Sequence, residues 1–311
     1  MNILCVLGPT AIGKTALVVE CAEKLGIEIV SLDSALVYRE LTIGANKPSK
    51  EELEQCPHHV IDCVSVAEAF HIGKYIQYAN EAVSDILSRG KVPVIVGGTM
   101  MYAYRMKTGL QATQDLSIEA KQELRAYWAN RPVSEAYEYL QSLQPEKQFI
   151  FHSHDKQRTL RQIEIALAAN RQHSDIQQDI VFKWPIDFYS LDMADRELHR
   201  KILKIRLDNM IKNGFLDEVA ILLKKYPDEL LPFWRFVGYR QFRGFCEGSL
   251  TYEDAVDQAY FATCHLAKHQ RTWMRKLQTK ELIVKYNQAY MSDELTLLLE
   301  KYAASFQNKL F

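Results

Sequence analysis

Nowhere in its 311 residues does the sequence string together the roughly 18 apolar positions that a membrane-spanning helix requires, so no membrane partner is expected. Net charge is also nearly missing, since 38 Lys and Arg stand against 39 Asp and Glu. A protein held on nucleic acid by blanket attraction would be more basic, so any RNA partner must meet basic residues gathered locally. Paired cysteines are absent. The six present, at 5, 21, 56, 63, 246 and 264, show no CxxC spacing and read as reduced thiols of a cytoplasmic protein. Cys56, His58, His59 and Cys63 lie close together at spacings that fit no standard zinc pattern, and His59 ahead of an apolar run reads as structural. The opening MNILCVLGPT has no basic segment before its apolar run and leads straight into a glycine loop; it reads as a core strand, not a signal peptide. There are no internal repeats or low-complexity tracts, which argues against solenoids and arrays.

What is there is enough apolar material for a sizeable core: 48% of the residues are hydrophobic, in a chain too long for one minimal domain. The apolar run Ile3 to Leu7 reads as a strand, Lys14 to Leu25 as a helix, Glu28 to Leu32 as a second strand. His59 to Val64 is a short strand candidate, Phe70 to Arg89 has helical periodicity, and Val92 to Val96 is a strand closed by Gly97, Gly98 and Thr99. Strands alternating with helices predict an α/β fold, a parallel sheet flanked by helices on both faces. Such sheets put their chemistry at the carboxyl ends of the strands, where the glycine loop, Asp33 and Gly97-Gly98-Thr99 all fall. From about Gln111 to Gln172 helix patterns dominate: Ser117 to Trp128, Ser134 to Leu143 and His154 to Asn170. The expected organisation is a core of residues 1–110 and 183–311 with a helical insertion domain at 111–182. Strand signals return at Asp187 to Leu191, and a long helical third follows, including Thr251 to Lys276.

Gly8-Pro9-Thr10-Ala11-Ile12-Gly13-Lys14-Thr15 fits GxxxxGK[ST] at every fixed position, between a strand and a helix. Glycines let backbone N–H groups turn toward an anion, the helix N-terminus adds partial positive charge, Lys14 a full one, and Thr15 a hydroxyl for Mg²⁺. The alternative is a glycine turn that merely caps a helix. The motif does not name its ligand, which could be ATP, GTP or another diphosphate. Asn46-Lys47-Pro48-Ser49 lacks the Asp of a guanine-reading motif, and the strand Val92 to Val96 ends in glycines rather than a carboxylate for an ATPase metal. Two candidates remain on the residues alone: a small-molecule kinase using Asp33 as base with Arg158 and Arg161 on a lid, or a transferase with diphosphate as leaving group.

At these residues the chain resembles the tRNA dimethylallyltransferases, or isopentenyl-tRNA transferases, over nearly its whole length. The match includes GPTAIGKT at 8–15, Asp33-Ser34-Ala35-Leu36-Val37-Tyr38, Gly44 to Pro48, Pro57-His58-His59 and Val96 to Tyr102. It continues with Asp155 to Arg158 and Arg161, Val237 to Gln241, Leu266-Ala267-Lys268, Gln270, Thr272-Trp273 and Arg275. The sequence departs from the family pattern at Thr263-Cys264, at His269, at Ile202 in place of an arginine, at Cys63-Val64-Ser65 and at Lys74. The resemblance implies a P-loop NTPase-like core with a helical insert, working as a monomer. It also implies Mg²⁺, dimethylallyl diphosphate as donor, and the anticodon loop of tRNA as acceptor, with prenyl transfer to N6 of an adenosine adjacent to the anticodon.

On that resemblance Asp33 is the general base that takes the N6 proton, against the plainer reading of a turn cap. Ser34, Ala35 and Leu36 line the base pocket. Thr99 bonds the base or the metal shell, or else is only the N-cap of a helix at Met100. Thr10, Lys14 and Thr15 hold the diphosphate. Arg206 is a second clamp on it, although spacing alone would make it an exposed helix charge. Gln157, Arg158 and Arg161 share a helix face, and with Thr159 and Leu160 form a segment that meets tRNA; Lys268, Arg271 and Arg275 form a second basic stripe. For both stripes a solvated face is the plain alternative. Trp273 lies off its stripe and reads as core.

Overall fold

The computed structural model describes residues 2–110, 116–169, 179–284 and 290–307. In chain order the elements are β1 (Ile3–Leu7), α1 (Lys14–Leu25), β2 (Ile27–Leu32), α2 (Lys50–Gln55), β3 (His58–His59), α3 (Ile72–Ser88), β4 (Val92–Gly97) and α4 (Met100–Thr108). Then come α5 (Ile118–Ala129), α6 (Val133–Leu143), α7 (Lys156–Ala169), β5 (Ile186–Met193), α8 (Arg196–Lys212) and α9 (Phe215–Lys225). The chain closes with α10 (Tyr239–Cys246), α11 (Tyr252–Leu277), β6 (Lys280–Val284) and α12 (Tyr290–Gln307). It divides into two compact units, Met1–Gly109 with Val181–Phe311, and Leu110–Ile180. Gln111, Asn170 and Gln172, used above to bound the insertion and its last helix, lie outside the described residues.

The larger unit is built on one six-stranded sheet of order β3-β2-β4-β1-β5-β6, parallel throughout. This is the α/β, P-loop NTPase-like arrangement expected. β1, β2 and β4 are buried at every residue, as strands covered by helices on both faces must be. Register matters for the site. Leu32 of β2 and Leu7 of β1 both stand opposite Gly97 of β4, so the segments leaving these three strands emerge side by side. Only glycine fits at 97, where a Cβ would collide with the Leu32 carbonyl. At the sheet's lower edge Glu28 is buried and takes Arg89 Nη2 at 2.7 Å and His59 Nε2 at 2.6 Å, which gives His59 its structural role.

Two expectations are corrected. The strand at His59 to Val64 is a two-residue pairing, because Val60 and Asp62 adopt left-handed φ of 61° and 53° and turn the chain away from the sheet. β6 was not foreseen; it extends the sheet beyond β5.

The smaller unit packs α5, α6 and α7 around Trp128, Ala136, Leu140 and Ile163. Glu164 is buried there and is held by Arg161 at 3.0 Å and Arg125 at 3.3 Å. Among the described residues no helix is long and apolar enough to cross a membrane.

Candidate active site

A cavity of about 170 Å³ opens at the carboxyl ends of β1, β2 and β4. Thr10, Ala11, Lys14 and Thr15 of the glycine loop form one wall; Asp33 and Leu36 after β2, Gly97 and Gly98 at the end of β4, and Arg206 of α8 form others. The loop's backbone is unusual in the way an anion site needs. Ala11 and Gly13 sit at φ of 62° and 82°, and α1 starts at Lys14 with no side chain capping it. That leaves helix N-terminal dipoles turned toward the loop.

Lys14 donates to the Pro9 carbonyl at 2.8 Å. Burial pushes its pKa down to about 7, Arg206 pushes the same way, and Asp33 opposes both. Arg206 is likewise lowered by burial and partly supported by Asp33, and it has no hydrogen bond or ion pair among the described residues. The plain expectation of an exposed helix charge is therefore set aside for Arg206. Two withdrawn cations with one shared carboxylate make a site short of negative charge.

Asp33 caps the turn with one oxygen and, among the described residues, leaves the other unpaired. Its Oδ1 accepts from the N–H groups of Ala35 at 2.7 Å and Leu36 at 3.3 Å, the turn-capping role. Its Oδ2 has no hydrogen-bond partner among the described residues, and the residue lines the cavity, so one oxygen stays available for a proton. Thr99 Oγ1 accepts from Ser34 N–H at 3.0 Å and makes no helix-cap bond, so it ties the β4 turn to the Asp33 loop instead of capping α4. Leu36 joins the wall; Ser34 and Ala35 are half-buried beside it and do not line it.

Gln270 was not singled out from the sequence for a role, and it binds the site together. Its Oε1 accepts from Thr10 N–H and its Nε2 donates to the Gly98 carbonyl, both at 2.9 Å. A Cβ on Gly98 would lie 2.5 Å from that amide nitrogen. A signal existed: Ala267, Gln270, Met274 and Leu277 all fall on the buried stripe of α11, so a glutamine there had to satisfy its amide inside.

The expected basic stripe on α11 splits. Lys268 and Arg275 are exposed, but Arg271 turns inward, with Nε on Asp192 at 2.8 Å and Nη2 on His199 at 2.6 Å. Trp273 packs edge-on to Tyr104, with ring centroids 5.5 Å apart. In the smaller unit Gln157 and Arg158 are exposed, Arg158 near Asp155 at 3.3 Å. Thr159 is fully buried and Leu160 packs on the apolar cluster, so these two serve the interior of that unit, not an RNA-facing surface.

Residues 36–277 match the family model described as IPP transferase. Proteins named tRNA dimethylallyltransferase are similar along most of the chain. The one from Acinetobacter baumannii is 37% identical over 291 residues, 89% of this chain and 91% of that one. The one from Chromobacterium violaceum is 38% identical over 280 residues, 88% and 86% of the two chains. Among solved structures, the tRNA Δ(2)-isopentenylpyrophosphate transferase of Staphylococcus epidermidis superposes with a TM-score of 0.67 at 28% identity, covering 97% of this chain and 99% of that one. The full-length tRNA isopentenylpyrophosphate transferase of Bacillus halodurans gives 0.71 at 24% identity, covering 99% and 98%, and shares the fold.

Proposed function

The chain belongs to the IPP transferase family, and because relatives 37–38% identical to it are named tRNA dimethylallyltransferase, we propose that it moves a dimethylallyl group from dimethylallyl diphosphate to N6 of an adenosine adjacent to the anticodon of tRNA. The observation that carries the reading is a single cavity in which two desolvated cations face a carboxylate with a free oxygen.

The adenine N6 lone pair forms the new bond to the allylic C1, the C1–O bond breaks, and its electrons leave with the diphosphate. Negative charge on the leaving group grows as that bond lengthens. Lys14, Arg206 and the N–H groups of the glycine loop are fixed before the reaction, so they favour the late charge over the early one. The proton on N6 passes to Asp33 Oδ2, while Oδ1 keeps the turn closed.

Mg²⁺ fits the residues present. The Thr15 hydroxyl lines the cavity, has no hydrogen-bond partner among the described residues, and is the hard oxygen that this ion combines with substrate phosphates. When bound it supplies neutralisation of the diphosphate. The exposed Gln157 and Arg158, and Lys268 and Arg275, are the side chains proposed to meet tRNA.

Incubation with dimethylallyl diphosphate and bulk tRNA, followed by nucleoside mass spectrometry, tests the reading. The expected product is N6-dimethylallyladenosine with diphosphate released. Steady phosphate transfer from ATP to any acceptor, without prenylated nucleoside, would overturn it.

A further inference from the structure

Thr10 is where the rest of the core grips the glycine loop. Gln270 takes its N–H, and its carbonyl accepts from His199 Nε2 at 2.9 Å. His199 is almost completely buried. Its other nitrogen, Nδ1, faces the Arg271 guanidinium at 2.6 Å. A guanidinium has only hydrogens to offer, so Nδ1 accepts and the ring proton sits on Nε2, where it must be to hold Thr10. Arg271 is anchored in turn on Asp192, which Arg196 also clamps. Burial first, and Arg271 beside it, hold the ring's pKa below its ordinary value, which keeps this neutral form.

The grip has a consequence one bond away. In a trans peptide the carbonyl and the following N–H point in opposite directions. Holding the Thr10 carbonyl toward His199 therefore turns the Ala11 N–H away from it. That N–H has no hydrogen-bond partner among the described residues, and Ala11 lines the cavity. Ala11 also sits in the left-handed region that an alanine adopts only when its surroundings demand it.

We propose that His199 is a positioning residue for the diphosphate site: held in its Nε2–H form by the Asp192–Arg271 pair, it fixes the Thr10–Ala11 peptide so that the Ala11 N–H is presented to the bound diphosphate. The inference rests on the loop being the donor's diphosphate seat.

The test is calorimetric titration of inorganic diphosphate with Mg²⁺, together with single-turnover transfer at saturating dimethylallyl diphosphate and tRNA. His199→Leu should weaken diphosphate binding roughly three- to tenfold, the worth of one hydrogen bond, and lower the saturated transfer rate by no more than a similar factor. His199→Gln can still donate to Thr10 through its amide nitrogen and accept from Arg271 through its oxygen, so it should bind within about twofold of the parent. If His199→Leu melts early, Asp192→Asn carries the test, since it keeps the core volume and loosens Arg271 and Arg196 without touching the ring itself; a smaller loss of affinity is expected. Parent-like binding by His199→Leu and Asp192→Asn overturns the relay, as does equal weakening by Leu and Gln, or a loss in saturated rate in place of affinity. If the parent chain does not bind diphosphate at all, the reading of the loop falls, and the relay with it.

Discussion

The cations of the glycine-loop cavity and those of α7 are the same kinds of side chain in opposite circumstances. Lys14 and Arg206 are withdrawn from water, Arg206 further lowers the pKa of Lys14, and Asp33 is the carboxylate that supports both. Arg158 and Arg161 reach solvent, and each already has a carboxylate, Asp155 at 3.3 Å and Glu164 at 3.0 Å. A desolvated cation lacking a partner costs folding free energy, and an incoming anion returns it. A solvated, paired one costs little and is screened by salt. The core cavity is thus short of negative charge, whereas the cations of α7 are solvated and already paired.

The comparison would break most sharply if the core site proved dispensable. Asp33→Asn keeps an oxygen for the Ala35 N–H but removes the proton acceptor. Single-turnover transfer should slow by roughly 10²–10⁴-fold, with the melting temperature held. Diphosphate affinity should stay level or rise, because the carboxylate that competes with the ligand for Lys14 and Arg206 is gone. Near-parent transfer in a well-folded Asp33→Asn would remove it from catalysis and leave only the turn.

Next in size, Lys14→Met and Arg206→Gln should each cost roughly 10²–10³ in transfer rate, as loss of a prearranged charge does. Both should raise the melting temperature of the ligand-free protein, since each relieves the repulsion between two withdrawn cations. Falling activity with rising stability is the signature to look for; a fall in both would mean the cations are structural. Lys14 also predicts a proton count. Its free-state pKa is about 7, and an anion beside it raises that value, so at pH 8 diphosphate binding should take up protons. Calorimetry in buffers of different ionisation enthalpy measures this, and proton release by the protein would contradict the assignment.

How much of this could be read beforehand follows from the range over which each signal acts. β1, α1 and β4 begin and end within a residue of expectation, because apolar runs bounded by glycines are local signals. The placement of the glycine loop and of Asp33 at the strand ends was legible for the same reason: each lies directly after its strand. Arg206 was not legible from spacing, because nothing within α8 says which face crosses the strand ends; only the family resemblance pointed to it. His199 heads a buried stripe with Leu203 and Leu207, but a lone histidine there reads as core until its partners Arg271 and Thr10, far off in sequence, are brought to it. The α11 stripe failed in the same way at Arg271, since helical steps group residues by face and cannot see an acid waiting on β5.

The smaller effects lie on α7 and separate two arginines that sequence spacing treats alike. Arg161 is one of two partners of the buried Glu164, and Arg125 remains if it goes. Arg161→Ala should therefore destabilise the smaller unit by about 1–2 kcal/mol, seen as earlier proteolysis within residues 110–180. Among the described residues, the Arg158 side chain pairs only with Asp155, and that pair is exposed. If it meets an RNA phosphate, Arg158→Ala should weaken tRNA binding only a few-fold at low salt and lower the slope of log affinity against log salt by about 1, because one fewer counterion is released. Diphosphate affinity and the saturated transfer rate should not move. Filter binding across a salt series decides the point: an unchanged slope for Arg158→Ala would take α7 out of the phosphate contacts and leave Lys268 and Arg275 to supply them, since a real backbone contact cannot be removed without its counterion being counted.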